Sequence, residues 1–254
     1  MIRLSPFILV LTALTFNQCS VTKNVSTSSK PEPVPYNLTL EKLKHGCFTI
    51  GYDLSKRHAA YVTYVITPEK LNGEAKRKNN FKPDPLLPEQ FSAQDEDYYK
   101  SGFDRGHLCP AADMKESQSC MDKSFYYSNM SPQKAGFNRG IWKKLEAQVR
   151  EWCLNSDSIR VFTGPIFSKS DTTLGTNKVT IPKRYYKTIL RYHGSIKDMI
   201  GFVLNNESSK NDLSTFIYSV DSIENLINLD LYSSLSDEEE GDLEKSISQT
   251  AWFE

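Results

Sequence analysis

The fold of this chain is constrained most by several short runs of aromatic and β-branched residues that polar turns separate. Such runs predict β-strands, and they occupy residues 47–52, 59–66, 125–129, 159–163, 185–192 and 199–204. Ser131-Pro132 predicts a turn after the third run, and Gly164-Pro165 predicts the end of the fourth. Short helices are expected at 222–228 and 237–248. Because strands and helices do not alternate regularly, we predict an α+β fold with a mostly antiparallel central sheet flanked by helices.

One amphipathic helix is predicted from about Asn138 to Leu154. Its apolar residues recur at helical spacing and form a single face that consists of Ile141, Trp142, Leu145, Val149 and Trp152. Asn138 and Glu146 are eight residues apart, which is about two helical turns. Both side chains are therefore expected to face one site while the apolar face packs on the core.

The first 35 residues differ from the rest of the chain. Arg3 precedes an apolar run over residues 7–16, a pattern typical of a signal peptide and too short for a membrane span. We assign residues 1–18 to the signal peptide, 19–35 to a flexible Ser-, Thr-, Lys- and Pro-rich tether, and 36–254 to one folded domain. The protein is thus expected to be exported, as a periplasmic, secreted or surface-anchored molecule. Cys19 lies where a bacterial lipoprotein carries its lipid, although Gln18 departs from the small residue usual there, so lipidation and simple cleavage both stay open.

Four further cysteines bear on the domain. In an exported chain Cys47, Cys109, Cys120 and Cys153 permit two disulfides in three connectivities. Cys109 and Cys120 are close in sequence and are the favoured pair. The alternative is that the cysteines are buried free thiols.

The charge of the chain is segregated. Its formal net charge is +0, so an attraction to nucleic acid would have to come from a local basic patch. Ionisable residues are mostly basic over 134–150 and all acidic over 221–244. The acidic segment is interpreted as a solvated helix face. The basic segment differs because it surrounds Asn138 and Glu146.

The sequence Asp104-Arg105-Gly106-His107, followed by Asn138 and Glu146, holds the groups that phosphodiester hydrolysis needs. A neutral histidine accepts a proton from water, and an arginine meets phosphate. An amide oxygen binds a hard divalent cation without adding charge, and a carboxylate orders its waters. Taken singly, His107 fits a structural role, Asn138 a helix N-cap and Glu146 an ion pair with Arg150. The ordered set favours the chemical interpretation.

On these residues the chain resembles the DNA/RNA non-specific endonuclease family, the ββα-metal nucleases, from about residue 36 to residue 252. The resemblance rests on segments 104–114, 125–133, 137–142 with Glu146, and 163–167. It implies a ββα-metal active-site motif with His107 as general base, Asn138 as direct ligand of Mg²⁺ (or Mn²⁺), and Glu146 as a water-mediated metal contact. Arg105 is expected to act at the phosphate. Substrate binding or site geometry is expected of Asn129, Gln133, Arg139 and Arg150.

The function that the resemblance implies is an exported, Mg²⁺-dependent endonuclease that cuts DNA and RNA without sequence specificity. It also implies an upstream arginine that steadies the transition state, for which Arg77 and Lys78 are both candidates. The alternative function is a surface protein that binds nucleic acid without cutting it. A structural zinc protein is disfavoured because the cysteines and histidines lack paired ligand spacing.

Overall fold

A seven-stranded antiparallel sheet forms the centre of the protein. The structure, a computed structural model, describes Met1, residues 40–247 and residues 250–253, so the tether, Cys19 and all but the first residue of the expected signal peptide lie outside the described residues. In sheet order the strands are Glu41–Lys44 (β1), Phe48–Asp53 (β2), His58–Ile66 (β3), Ser158–Ile166 (β6), Arg184–His193 (β9), Ile196–Asn205 (β10) and Ile217–Tyr218 (β11).

Two hairpins accompany the sheet. Phe103–His107 (β4) pairs with Met130–Lys134 (β5), with Phe103 opposite Lys134 and His107 opposite Met130. Thr172–Leu174 (β7) pairs with Val179–Ile181 (β8). The first hairpin carries the Asp-Arg-Gly-His sequence and thus sets the position of the site.

Helices cover both faces of the sheet. Along β9, Tyr185 and Ile189 point into the cluster that contains Trp142 and Val149, whereas Tyr186 and Leu190 point into a second cluster. This alternation is the period of a strand buried on both sides. The helices are Pro68–Leu71 (α1), Asp95–Tyr98 (α2), Gln118–Lys123 (α3), Lys143–Leu154 (α4), Val220–Ile227 (α5), Asp237–Lys245 (α6) and Thr250–Phe253 (α7). The predicted α+β class with a mostly antiparallel sheet is confirmed. None of the helices in the described part of the chain has the length and apolar character of a bilayer span.

Most predicted strands are confirmed, but the one at 125–129 is wrong. Residues Tyr127–Asn129 form a short 3-10 turn, and the strand is β5, which includes the predicted turn Ser131-Pro132. Phe125 and Tyr127 bury their rings in the core instead of alternating across a strand. Pro132 is tolerated because β5 pairs only with β4, so no second neighbour requires its missing N–H.

The strand predicted to end at Gly164-Pro165 continues to Ile166 as part of β6. Its pairing with β3 stops at Thr163, and beyond that residue β6 pairs only with β9. Pro165 therefore lies beyond the last residue pair between β3 and β6. Gly164 is required there because an added Cβ would lie 2.3 Å from the carbonyl oxygen of Ala60.

The helix predicted from Asn138 is regular only from Lys143 onward. Residues Phe137–Trp142 form a π-helical turn, and Gly140 has non-helical angles of φ −106° and ψ −111°. Asn138 thus precedes a kink in the chain. The predicted spacing of two regular helical turns between Asn138 and Glu146 is therefore wrong. The apolar face itself is confirmed, since Trp142, Leu145 and Val149 are buried.

The favoured disulfide is also wrong. Cys120 of α3 bonds Cys47, which directly precedes β2, and the Cα atoms of this pair are 5.8 Å apart, within the usual range. Cys109 and Cys153 are buried free thiols. Cys109 is fully buried in the main core cluster, and Cys120 is already bonded to Cys47.

Candidate active site

A cleft of about 450 Å³ lies between the β4–β5 hairpin and the N-terminal part of α4. Two strands and a helix therefore frame it, which confirms the ββα arrangement. It is lined by Arg77, Arg105, His107, Pro110, Ala111, Ala112, Asn138, Arg139, Lys143, Glu146 and Arg150. Six of the eight predicted site residues meet in this one cleft.

His107 forms the end of β4 and the inner wall of the cleft. Its ring packs edge-on against Phe125 with centroids 4.8 Å apart and lies 6.0 Å from Phe81. Its Nε2 has no hydrogen-bond partner among the described residues. Burial, assisted by the nearby Arg77, lowers the pKa of His107 to about 3. The imidazole is therefore neutral at physiological pH and able to accept a proton.

Asn138 is oriented by Asp104. Its Nδ2 donates to Oδ2 of Asp104 at 2.8 Å, whereas among the described residues none donates a hydrogen bond to its Oδ1. Arg139 donates to both oxygens of the same carboxylate, at 2.9 and 2.6 Å. These bonds hold the pKa of Asp104 below its usual value despite partial burial. The carboxylate thus keeps the Asn138 amide in one orientation and leaves its oxygen for a ligand.

Glu146 is half-buried on α4 and faces the same cleft. Burial raises its pKa to about 7, an effect that the buried Lys187 opposes. A carboxylate desolvated to this degree gains from a nearby cation. An amide oxygen and a carboxylate beside water are the donors that a hard divalent cation prefers. The residues present fit Mg²⁺ or Mn²⁺.

Several cations surround these groups. Arg105 packs its guanidinium 4.5 Å from the ring centroid of Phe81 and pairs with Asp95. Arg150 donates to the buried Asp113 at 2.8 Å and keeps a quarter of its side chain exposed, 25%. The site is thus an electropositive cleft around a neutral imidazole, an oriented amide and a carboxyl group.

The sequence matches the family described as DNA/RNA non-specific endonuclease over residues 30–238. It is 34% identical to Nuclease C1 of Cunninghamella echinulata var. echinulata over 217 residues, which cover 79% of this chain and 86% of that protein. It is 33% identical to the zebrafish (Danio rerio) protein "Nuclease EXOG, mitochondrial", covering 76% of this chain and 61% of that one.

A solved structure shows the same fold. In a crystal structure of the EndoG/EndoGI complex, the matching chain aligns with a TM-score of 0.73 at 28% identity and covers 78% of this chain and 88% of that chain. This chain belongs to the DNA/RNA non-specific endonuclease family.

The positions of Arg77 and Lys78, the two candidates for the upstream cation, differ in the structure. Arg77 lines the cleft, and its guanidinium lies 5.1 Å from the centroid of the Phe125 ring that also contacts His107. Lys78 is exposed and is not among the lining residues. The sequence alone did not show which of the two residues reaches the cleft, because they are adjacent and both cationic.

Asn129 and Gln133, two of the predicted substrate-binding residues, lie outside the cleft. Asn129 is fully buried and makes three hydrogen bonds to the backbone of Cys109 and Ser124, at 2.8 to 2.9 Å. Gln133 is also fully buried, and it packs beneath Gly106 so closely that an added Cβ there would lie 2.1 Å from its Oε1. Both residues shape the β4–β5 hairpin, which agrees with a role in site geometry and not with contact to substrate.

The sequence reasoning missed the acidic partners of the site. Asp104 orients Asn138, and Asp113 holds Arg150 while it accepts a hydrogen bond from Tyr64 at 3.1 Å. Lys143 also lines the cleft. Asp104 stood inside the motif, but its partner is 34 residues away, so no local signal indicated the bond.

Proposed function

We propose that this protein is an exported, Mg²⁺-dependent endonuclease that hydrolyses phosphodiester bonds of DNA and RNA without sequence specificity. The observation that carries this proposal is that the neutral His107 and Asn138 line the same cleft, and that the bond to Asp104 uses the amide nitrogen of Asn138 and not its oxygen. Family membership supports the same reaction class. The cations around the cleft suit a phosphate backbone and offer no base-specific pattern.

In this mechanism His107 accepts a proton from the attacking water while the water oxygen bonds to phosphorus and the P–O bond to the leaving oxygen breaks. The resulting imidazolium lies beside the phosphate, whose negative charge favours it. The leaving oxygen then takes up a proton from solvent. Arg77, Arg105 and Arg150 line the same cleft and would balance the charge that develops on the phosphate oxygens. Asn138 would hold the cation directly and Glu146 would hold its waters. A bound Mg²⁺ supplies charge neutralisation at the phosphate and the leaving oxygen.

The activity is tested by incubating the full chain with plasmid DNA and with RNA, in Mg²⁺ or in chelator. We expect cleavage of both polymers that the chelator abolishes. His107→Ala is expected to reduce the rate by about 10²–10⁴-fold, and Asn138→Ala to cause a comparable loss. His193→Ala and Asn225→Ala are matched controls, because both residues are exposed and neither lines the cleft.

Melting curves must show that each variant is folded. Cleavage that persists in chelator, or an unchanged rate in folded His107→Ala, contradicts the mechanism. Tight binding of DNA and RNA by the wild type without any cleavage would favour the alternative, a non-catalytic nucleic-acid-binding protein.

Export is proposed from the pattern of residues 1–18 and gains support from the Cys47–Cys120 disulfide, a bond typical of oxidising compartments. A lipid anchor at Cys19 is a separate proposal that rests only on the position of that cysteine. Fractionation of cells with labelled lipid, comparing the wild type with Cys19→Ala, tests both. Protein that stays in the cytoplasm contradicts export, and wild-type protein without label contradicts the anchor.

A further inference from the structure

We propose that a second groove, next to the catalytic cleft, binds a single-stranded segment of the nucleic acid whose backbone is cut. This inference rests on the proposed nuclease function and adds a substrate subsite to it. The groove has a volume of about 430 Å³ and lies at the open end of the β4–β5 hairpin, where Phe103 and Lys134 form one wall. Ile181, Lys183 and Arg184 form the opposite wall.

One face of β4 joins the groove to the catalytic cleft. Phe103, Arg105 and His107 alternate with their neighbours, so their side chains lie on the same face of the strand. Arg105 and His107 line the cleft, and Phe103 lines the groove. The four residue-to-residue steps from His107 to Phe103 span about 13 Å of strand. A polymer that leaves the catalytic histidine along this face therefore meets Arg105 and then the groove.

The charge of the groove complements a polyanion. Lys134, Lys183 and Arg184 are cationic, and among the described residues that line the groove the one carboxylate is Glu207. Glu207 pairs with Lys134 at 3.3 Å. Lys183 donates to the hydroxyl of Ser170 at 2.8 Å, and the neighbouring half-buried Asp171 interacts electrostatically with both Lys183 and Arg184. With Asp171 counted beside the lining residues, three cations meet two carboxylates, so a net positive charge remains for backbone phosphates.

The apolar part of the groove lining is held in place by the fold. Phe103 and Ile181 are half-buried and Pro182 is buried. The buried Asn206 accepts from the backbone N–H of Lys134 at 2.8 Å and donates to the carbonyl of Pro182 at 3.0 Å, which ties the two walls together. An aromatic ring with flanking cations is the combination that binds unpaired bases and their phosphates.

Because a base must leave its duplex stack before a protein ring contacts its face, this chemistry selects a single strand over a double helix. The proposal therefore predicts that affinity rises with the length of a single strand, once the strand is long enough to reach from His107 to Phe103.

The experiment measures binding without cleavage, in chelator, by fluorescence anisotropy. Thymidylate strands of about four and about sixteen nucleotides bracket the usual site sizes for such surfaces. The double variant Lys183→Gln/Arg184→Gln removes the two cations, and Phe103→Leu removes the ring while it keeps an apolar side chain. Lys245→Gln is the matched control, since Lys245 is exposed on α6 and outside both clefts.

We expect the wild type and the control to bind the long strand at least about tenfold more tightly than the short one, a ratio within the range for one stacked base. Each groove variant should lose most of this length dependence. In the double variant the slope of log affinity against log salt should also fall in magnitude by about 1.4, because each contacted single-strand phosphate contributes about 0.7.

Folded groove variants that keep the wild-type length dependence and salt slope would overturn the subsite. Cleavage of the same strands by wild-type protein in Mg²⁺ is measured in parallel. If the wild type cleaves but the groove variants bind normally, only the subsite fails. If the wild type does not cleave at all, the proposed function fails.

Discussion

Asp104 is predicted to control metal affinity although its carboxylate is not expected to be a metal ligand. The Asp104→Ala substitution removes the acceptor that fixes the Asn138 amide at 2.8 Å. Asp104 is ionised at neutral pH because its hydrogen bonds hold its pKa below the usual value. Without it the amide is free to turn, and its oxygen is presented to the cation for only part of the time.

Two independent magnitudes agree on the size of the effect. One hydrogen bond to a charged acceptor contributes about 1.5–3 kcal/mol. Loss of a group that orients a metal ligand typically weakens metal binding by about 10–100-fold, and a tenfold change corresponds to about 1.4 kcal/mol. We therefore expect the Mg²⁺ concentration that gives half-maximal cleavage of supercoiled plasmid to rise about 10–100-fold, while the maximal rate returns towards the wild-type value at high Mg²⁺.

Arg139→Gln provides the control. It removes the two bonds that Arg139 makes to Asp104 but leaves the bond from Asn138, so its half-maximal Mg²⁺ concentration should stay near that of the wild type. The reasoning is refuted if Asp104→Ala leaves the Mg²⁺ dependence unchanged and lowers only the maximal rate. It is equally refuted if Arg139→Gln produces the same shift.

Three further predictions follow from the described structure. Cys47→Ser opens a disulfide with a sequence separation of 73 residues and should lower the free energy of unfolding, measured in urea, by about 4 kcal/mol. A reductant should destabilise the wild type but not the variant. Equal sensitivity of both proteins to the reductant would contradict the pairing. The pKa of Glu146 is about 7 and that of His107 about 3, so the cleavage rate at low Mg²⁺ should decline below about pH 7. Added Mg²⁺ should move this decline to lower pH because the cation favours the ionised carboxylate. A decline at acid pH that does not depend on Mg²⁺ would show that another group titrates. Burial raises the pKa of Glu244 to about 8, above its unfolded value, so the protonated carboxyl stabilises the fold at low pH and this contribution is lost as pH rises from about 4.5 to about 8. Over that range the melting temperature should fall by less in Glu244→Gln than in the wild type. Identical pH profiles of the melting temperature would exclude this role.

The secondary structure was predictable wherever burial follows a simple period. The segment at 59–66 is confirmed as β3, and the buried Val62, Tyr64 and Ile66 alternate there with less buried aromatic and β-branched residues. At 125–129 the same residue types predicted a strand that does not form. Phe125 and Tyr127 instead pack into two different hydrophobic clusters around a tight turn. Pro132 and Pro165 were interpreted as strand breakers because the sequence does not show which strands have a neighbour on only one side.

The sequence by itself determined the chemistry: the residue types at His107, Asn138 and Glu146, their order, and the class of fold that the strand and helix patterns allow. These are properties of side chains and of local periodicity, which the chain carries without being folded. Tertiary structure decided which groups meet. It paired Cys47 with Cys120, placed Arg77 in the cleft and tied Asn138 to Asp104. Such contacts join residues far apart in the chain, so they depend on how the hairpin, the helix and the sheet pack together.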